Sequence, residues 1–128
     1  MFKVNAIFVQ IPFIVRQNMK LAIIGSRNVT NIDIEKHIPD GVSEIVSGGA
    51  KGVDTLAKEY ALENKIKYTE FLPDYARFNK GAPLKRNEEI AKYADVALVF
   101  WNGKSKGTKY TVECFEKLRK KVILLILG

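Results

Sequence analysis

The sequence predicts an α/β fold in three layers, built on a mostly parallel, open sheet. Three observations predict it. Short apolar runs alternate with stretches at helical spacing. Two of the runs, Val96–Phe100 (VALVF) and Lys121–Leu127 (KVILLIL), are apolar at nearly every position, as strands covered on both faces must be. Three glycine-bearing loops each follow an apolar run and precede a helical one.

In chain order, Lys20–Gly25 (KLAIIG) reads as a buried strand meeting a turn. Thr30 to Pro39 has room for a few helical turns at most, stopped by Pro39-Asp40-Gly41. Glu44–Ser47 (EIVS) is the second strand, closed by Gly48-Gly49. Val53, Leu56, Ala57, Tyr60, Ala61 and Asn64 follow helical spacing, so a helix is expected over about 53–64. Lys67–Leu72 (KYTEFL) is a third strand stopped by Pro73, and residues 74–82, which show no period, are expected to be a loop. Pro83 suits the first turn of a helix that Leu84, Asn87, Ile90, Ala91 and Ala94 continue to about Tyr93. Val96–Phe100 is the fourth strand. A helix with Val112, Phe115 and Leu118 inward follows, and then the last strand, Lys121–Leu127. Right-handed crossovers gather the loops after parallel strands at one sheet edge, where ligands bind at the reversal of strand order. The expectation is therefore a Rossmann-like domain over residues 19–128.

A chain of 128 residues and 14.5 kDa is expected to form one such domain. Residues 1–18 are apolar, but Gln10, Pro12 and Arg16 interrupt them and no small-residue cleavage site follows. They are too short an apolar stretch to cross a membrane. The segment is read as an extra strand or arm, or as an over-long start ahead of Met19. The single cysteine, Cys114, excludes an internal disulfide and points to a reducing, cytoplasmic setting. An inert thiol on the packed side of a helix is favoured there over a nucleophile.

The net charge of +7 is uneven. Residues 1–75 carry nine basic and nine acidic side chains, whereas residues 76–128 carry twelve and five. A basic surface draws phosphates, whether of nucleotides, nucleic acid or anionic membrane. Lys117, Arg119, Lys120 and Lys121 fit that role or a solvated face equally well. His37 stands alone beside a proline and is read as neither ligand nor base. No His/Cys/Asp spacing of a zinc site and no paired carboxylate motif occurs, so neither a metal nor a cofactor is expected.

The chemistry is expected at the three loops: Gly25-Ser26-Arg27, then Ser47 to Asp54 with Gly48, Gly49, Ala50 and Gly52, then Asn102 to Thr108 with Gly103, Ser105 and Gly107. Glycine lets a backbone approach a phosphate, and a helix starting there adds unpaired N–H donors and partial positive charge. Lys51 is followed by Gly52 rather than Ser or Thr, so the P-loop pattern is incomplete. The spaced GxGxxG fingerprint is also missing after the first strand, which lowers ATP hydrolysis and hydride transfer. Arg27 and Arg86, the latter beside Asn87 at a helix start, are placed to grip a phosphate bidentately or to face solvent. Asp54 is read as a helix cap or as a partner for a ribose hydroxyl. Tyr75, Phe78 and Trp101 are read as base-stacking or core aromatics.

These residues resemble the SLOG superfamily. Ile24-Gly25-Ser26-Arg27, Val46 to Asp54 (VSGGAKGVD), Arg86-Asn87, Ala94-Asp95 and Gly103-x-Ser-x-Gly-Thr108 carry the likeness, in order, over about residues 20–127. The nearest branch is the small stand-alone one related to YspA. The DNA-processing protein A fold and the "lonely guy" cytokinin-activating enzymes are more distant. The resemblance implies a Rossmann-like sheet and a nucleotide, nucleotide-derived or single-stranded DNA ligand. By position it implies ligand contact from the three loops and from Arg86 with Asn87. The cytokinin-activating enzymes carry a glutamate three residues after Gly-Thr; here Lys109, Tyr110 and Thr111 follow Thr108, and Glu113 comes two residues too late. The leading expectation is binding or sensing of a nucleotide or nucleotide-derived phosphate ligand. A nucleotide or nucleoside-phosphate hydrolase of N-glycosidic type is the next, with Asp54 or Glu113 as acid–base and Arg27 or Arg86 as clamp. Single-stranded nucleic acid binding is the third. A homo-oligomer is compatible with the open sheet edges, and no membrane partner is expected.

Overall fold

The computed structural model describes residues 18–29 and 31–127. The arm expected over residues 1–18 lies, Asn18 apart, outside the described residues. Five strands form one sheet: β1 (Met19–Gly25), β2 (Val42–Ser47), β3 (Lys67–Glu70), β4 (Val96–Trp101) and β5 (Lys121–Ile126). The helices are α1 (Val53–Glu63), α2 (Tyr75–Phe78), α3 (Ala82–Tyr93) and α4 (Lys106–Lys117), with 3-10 turns at Glu35–His37 and Asn79–Gly81.

The sheet runs β3-β2-β1-β4-β5, and every neighbouring pair is parallel. Alternate side chains of one strand therefore enter two separate cores. In β1, Leu21 and Ile23 pack with Ile45, Leu98 and Phe100 under Val53, Ala57 and Ala61 of α1. Ala22 faces the other way and joins Val46, Ala97 and Val99 under Ile90 and Ala91 of α3 and Phe115 of α4. Helices on both faces make the three layers that continuously apolar strands require. This is an α/β, Rossmann-like architecture with a parallel sheet. Among the described residues no helix is long and apolar enough to cross a membrane.

Local chemistry fixes the helix ends that face the site. The Ser105 hydroxyl caps α4 by accepting from the Thr108 N–H at 3.3 Å. Pro83 sits in the first turn of α3, where its missing N–H costs nothing. At the other end of α3, Lys120 Nζ donates to the carbonyls of Ala91, Lys92 and Ala94 at 2.7, 2.9 and 2.7 Å. One of the basic side chains read as a phosphate-drawing or solvated face is thus a helix C-cap. Asp95 ties the same corner to β1, accepting from the Lys20 N–H at 2.9 Å while its own N–H donates back to the Lys20 carbonyl.

Residues 74–82 differ from the loop expected. The Asp74 carboxylate accepts from the Arg77 N–H at 3.1 Å and holds Tyr75–Phe78 as one helical turn, with the 3-10 turn leading into α3. β3 ends at Glu70 rather than Leu72, although the Phe71 N–H still reaches the Ser47 carbonyl at 2.9 Å. His37 is half-buried, its ring edge-on to Phe100 at 5.7 Å, which gives it a packing role. Cys114 is half-buried, and burial is the largest influence raising its thiol pKa, so it is a poor nucleophile.

Candidate functional site

Strand order reverses between β1 and β4, since β1 leads to β2 on one side and β4 to β5 on the other. The loops leaving β1 and β4 therefore diverge and open a crevice at the carboxyl edge. Ser26, buried at the floor, joins them: its N–H donates to the Phe100 carbonyl at 3.1 Å, and its hydroxyl accepts from the Asn102 N–H at 3.2 Å. The same hydroxyl lies 3.5 Å from that of Thr108 in α4.

The crevice holds a cavity of about 150 Å³. The structure brings Gly25, Ser26, Arg27, Gly48, Ala50, Asp54, Arg86, Asn87, Ser105, Gly107 and Thr108 to its walls. These come from all three predicted loops and the start of α3. Sequence reasoning did not identify Ile24, Pro83, Leu84, Ile90 and Thr111, which also line it. Thr111 carried a usable signal, standing one turn after Gly107, whose carbonyl its hydroxyl bonds at 2.9 Å.

Other predicted residues lie elsewhere. Gly49 is exposed on the outer side of its loop with φ +72°, near the Glu70 and Leu72 side chains. Gly52 forms the N-cap of α1, and Gly103 turns the β4–α4 loop with φ +81°. Glu113 is exposed on α4 and is not among the cavity-lining residues. Tyr75, Phe78 and Trp101 do not line this cavity; the Trp101 indole N–H is bound to the Ser105 carbonyl at 3.0 Å.

The lining glycines have different causes. A Cβ on Gly25 would meet Val53 Cγ2 at 2.3 Å, so this glycine lets α1 close on the sheet. One on Gly48 would meet Arg86 Nη1 at 2.5 Å. One on Gly107 would meet nothing within 4 Å, and Gly107 has no positive φ. Neither packing nor backbone conformation therefore calls for glycine at that helix start, and the residue leaves room at the cavity wall.

Arg86 and Asp54 set the electrostatics. Arg86 Nε donates to Asn87 Oδ1 at 2.7 Å, while Nη1 donates to the carbonyls of Gly48 at 2.5 Å and Phe71 at 3.3 Å. It thus braces the ends of β2 and β3, and its Nη2 has no protein acceptor among the described residues. Burial lowers its pKa, opposed by the charge of Asp54. Asp54 Oδ2 accepts from the Ala50 N–H at 2.9 Å and closes the second loop onto α1. It sits in the first turn of α1, within the helix rather than at its N-cap. Burial pushes its carboxyl up to about 6, against the Ala50 N–H and the Arg86 charge, which lower it. Arg27 is exposed at the rim.

Two recesses beside the cavity share lining side chains with it. Arg27 and Ala50 also line a recess of about 420 Å³ with Gly49 and Lys51. Arg86 also lines a second recess with Leu72, Asp74, Arg77, Phe78, Ala82, Lys85 and Glu89. Among the described residues no group of three or more His, Cys, Asp or Glu side chains is placed to hold a metal ion.

Residues 19–78, which include the first two loops, match the family described as YspA, cpYpsA-related SLOG. No curated protein sequence matches the chain. The fold is similar to the solved structure of DNA processing protein A from Helicobacter pylori, described for its single-stranded DNA binding mode. That likeness has a TM-score of 0.64 at 25% identity, covering 89% of this chain and 69% of the other. Over residues 19–78, just under half of the chain, the sequence is thus similar to the YspA-related SLOG family.

Proposed function

We propose that the crevice binds the phosphate backbone of single-stranded nucleic acid. The observation that carries this reading is that Arg27 and Arg86 each line both the cavity and a further recess beside it. The cavity itself, of about 150 Å³, is flanked by recesses of about 420 and 220 Å³. It suits a phosphate with part of its sugar, and the adjoining recesses suit the neighbouring nucleotides of a strand. The helix starts of α1, α3 and α4 all reach the cavity wall, and such starts favour anions. The single-stranded DNA binding described for the similar Helicobacter pylori protein supports the same ligand class.

Arg27 gives the cleanest test because it is exposed, and losing it leaves the packing untouched. Fluorescence anisotropy with a labelled oligothymidylate at low salt should show binding, and Arg27→Ala should weaken it by about 10-fold. Equal affinity for the two proteins would remove the crevice from the binding path.

A nucleotide-derived ligand in the same cavity is a second reading, favoured by Asp54. A buried carboxyl at about 6 beside a phosphate-sized cavity is suited to binding a ribose hydroxyl or to general acid work at a glycosidic bond. Tight binding of a mononucleotide with little salt dependence, alongside weak oligomer binding, would favour it over the strand.

A further inference from the structure

Beside the phosphate cavity, the α2 turn presents an unusual surface. Tyr75 is 57% exposed and Leu72 64%, although both stand at the carboxyl edge next to Arg86. Local contacts define the turn. Asp74 caps it, Asn79 leaves it with φ 52°, and α3 follows directly. Phe78 lies beneath two cations, with Arg77 Cζ 5.1 Å and Lys85 Nζ 5.7 Å from its ring centre. The adjoining recess has a volume of about 220 Å³ and shares Arg86 with the phosphate cavity. Arg77, Lys85 and Arg86 line it with two carboxylates, Asp74 and Glu89; Lys85 is also paired with Glu88 at 3.4 Å, and Tyr75 stands outside the recess, next to Asp74 in the chain. Asp74 is already engaged in capping.

We propose that α2 forms a nucleobase subsite: a base of the bound strand stacks on Tyr75 while its phosphate lies between Arg86 and Lys85. This rests on the strand-binding reading and extends it to the base. Single-strand sites join a cationic groove to aromatic faces that stack on any base, and this corner supplies both on a pre-formed turn. An exposed tyrosine loses little rotamer freedom on stacking and disturbs no core when replaced.

The test is a cycle that removes the base and the ring separately. Wild type and Tyr75→Ala are titrated by anisotropy with a labelled oligothymidylate and with an abasic oligomer of the same length and charge. The wild type should prefer the base-bearing oligomer by about 10-fold, the size expected of one stacked base. Tyr75→Ala should lose that preference, bind both like wild type binds the abasic oligomer, and keep the wild-type salt dependence. Tyr75→Trp should restore the preference. If Tyr75→Ala keeps the full preference, or if the wild type binds both oligomers equally, the subsite is overturned and the strand-binding reading stands. If the wild type binds neither, both fall together.

Discussion

Asp54 sits where burial and a neighbouring cation pull its carboxyl in opposite directions, and burial wins. Its pKa of about 6, against 3.8 for an unhindered aspartate, means the folded protein holds a proton that the unfolded chain has released. Stability is therefore fullest below pH 3.8 and falls as pH rises towards 6 and through it. The shift corresponds to about 3 kcal/mol at neutral pH. Asp54→Asn keeps an oxygen for the Ala50 N–H and removes the titration. At pH 7.5 its urea midpoint should exceed wild type by an amount equivalent to about 1–3 kcal/mol, and near pH 4 the two should converge. A constant difference at both pH values would show that the carboxyl ionises normally. Gly107 offers the complementary case. Gly107→Ala should stabilise α4 by about 0.5–1 kcal/mol, because nothing opposes a methyl group there. Gly107 also lines the cavity, so the added methyl should weaken oligonucleotide binding several-fold. A stabilised variant with unchanged affinity would detach Gly107 from the ligand.

The elements that set the site were legible where they depend on neighbouring residues. Glycine after an apolar run marked all three loops, because a chain leaving a buried strand must turn at once. The helix over Val53–Glu63 and the start at Pro83 followed from spacing and from the proline. The α2 turn was not legible, since one turn has no period to detect and its cap, Asp74, also reads as an ordinary loop residue. The roles of Arg86 and Lys120 were hidden for another reason. Arg86 reaches Gly48, 38 residues away, and Lys120 reaches carbonyls 26 to 29 residues earlier, so only the fold reveals those partners. This assigns Lys120 a consequence opposite to that of a phosphate contact. Lys120→Met leaves three carbonyls at the end of α3 without their donor and should cost about 1–3 kcal/mol in chemical denaturation. Oligonucleotide affinity and its salt slope should stay at wild-type values. A weakened slope with unchanged stability would return Lys120 to the binding surface.

Across the whole molecule, the net charge of +7 has functional meaning only through where the charges stand. Parallel strands place Arg27, Lys51, Lys104 and Lys106 on loops and helix starts at one edge of the sheet, the edge that carries the crevice. Lys67 and Lys121 open their strands and so stand at the opposite edge. All six are exposed, so neither composition nor burial separates the two groups. If a strand runs along the crevice edge, each phosphate neutralised there releases counterions, and log affinity falls with log salt by ~0.7 per contact. Replacing Lys104 and Lys106 together by glutamine should then flatten the slope by about 1.4. Replacing Lys67 and Lys121 together removes the same net charge from the far edge and should leave the slope unchanged. Lys67 lies 3.7 Å from the buried Glu44, which keeps its hydrogen bonds from Thr69 and Tyr93, at 2.6 Å each, when the lysine is replaced; a urea midpoint measured beside the slope separates any loss of stability from loss of binding. Equal flattening by both pairs would mean that the molecule attracts nucleic acid through its overall charge. Flattening by the first pair alone would tie binding to the edge where β1 and β4 part.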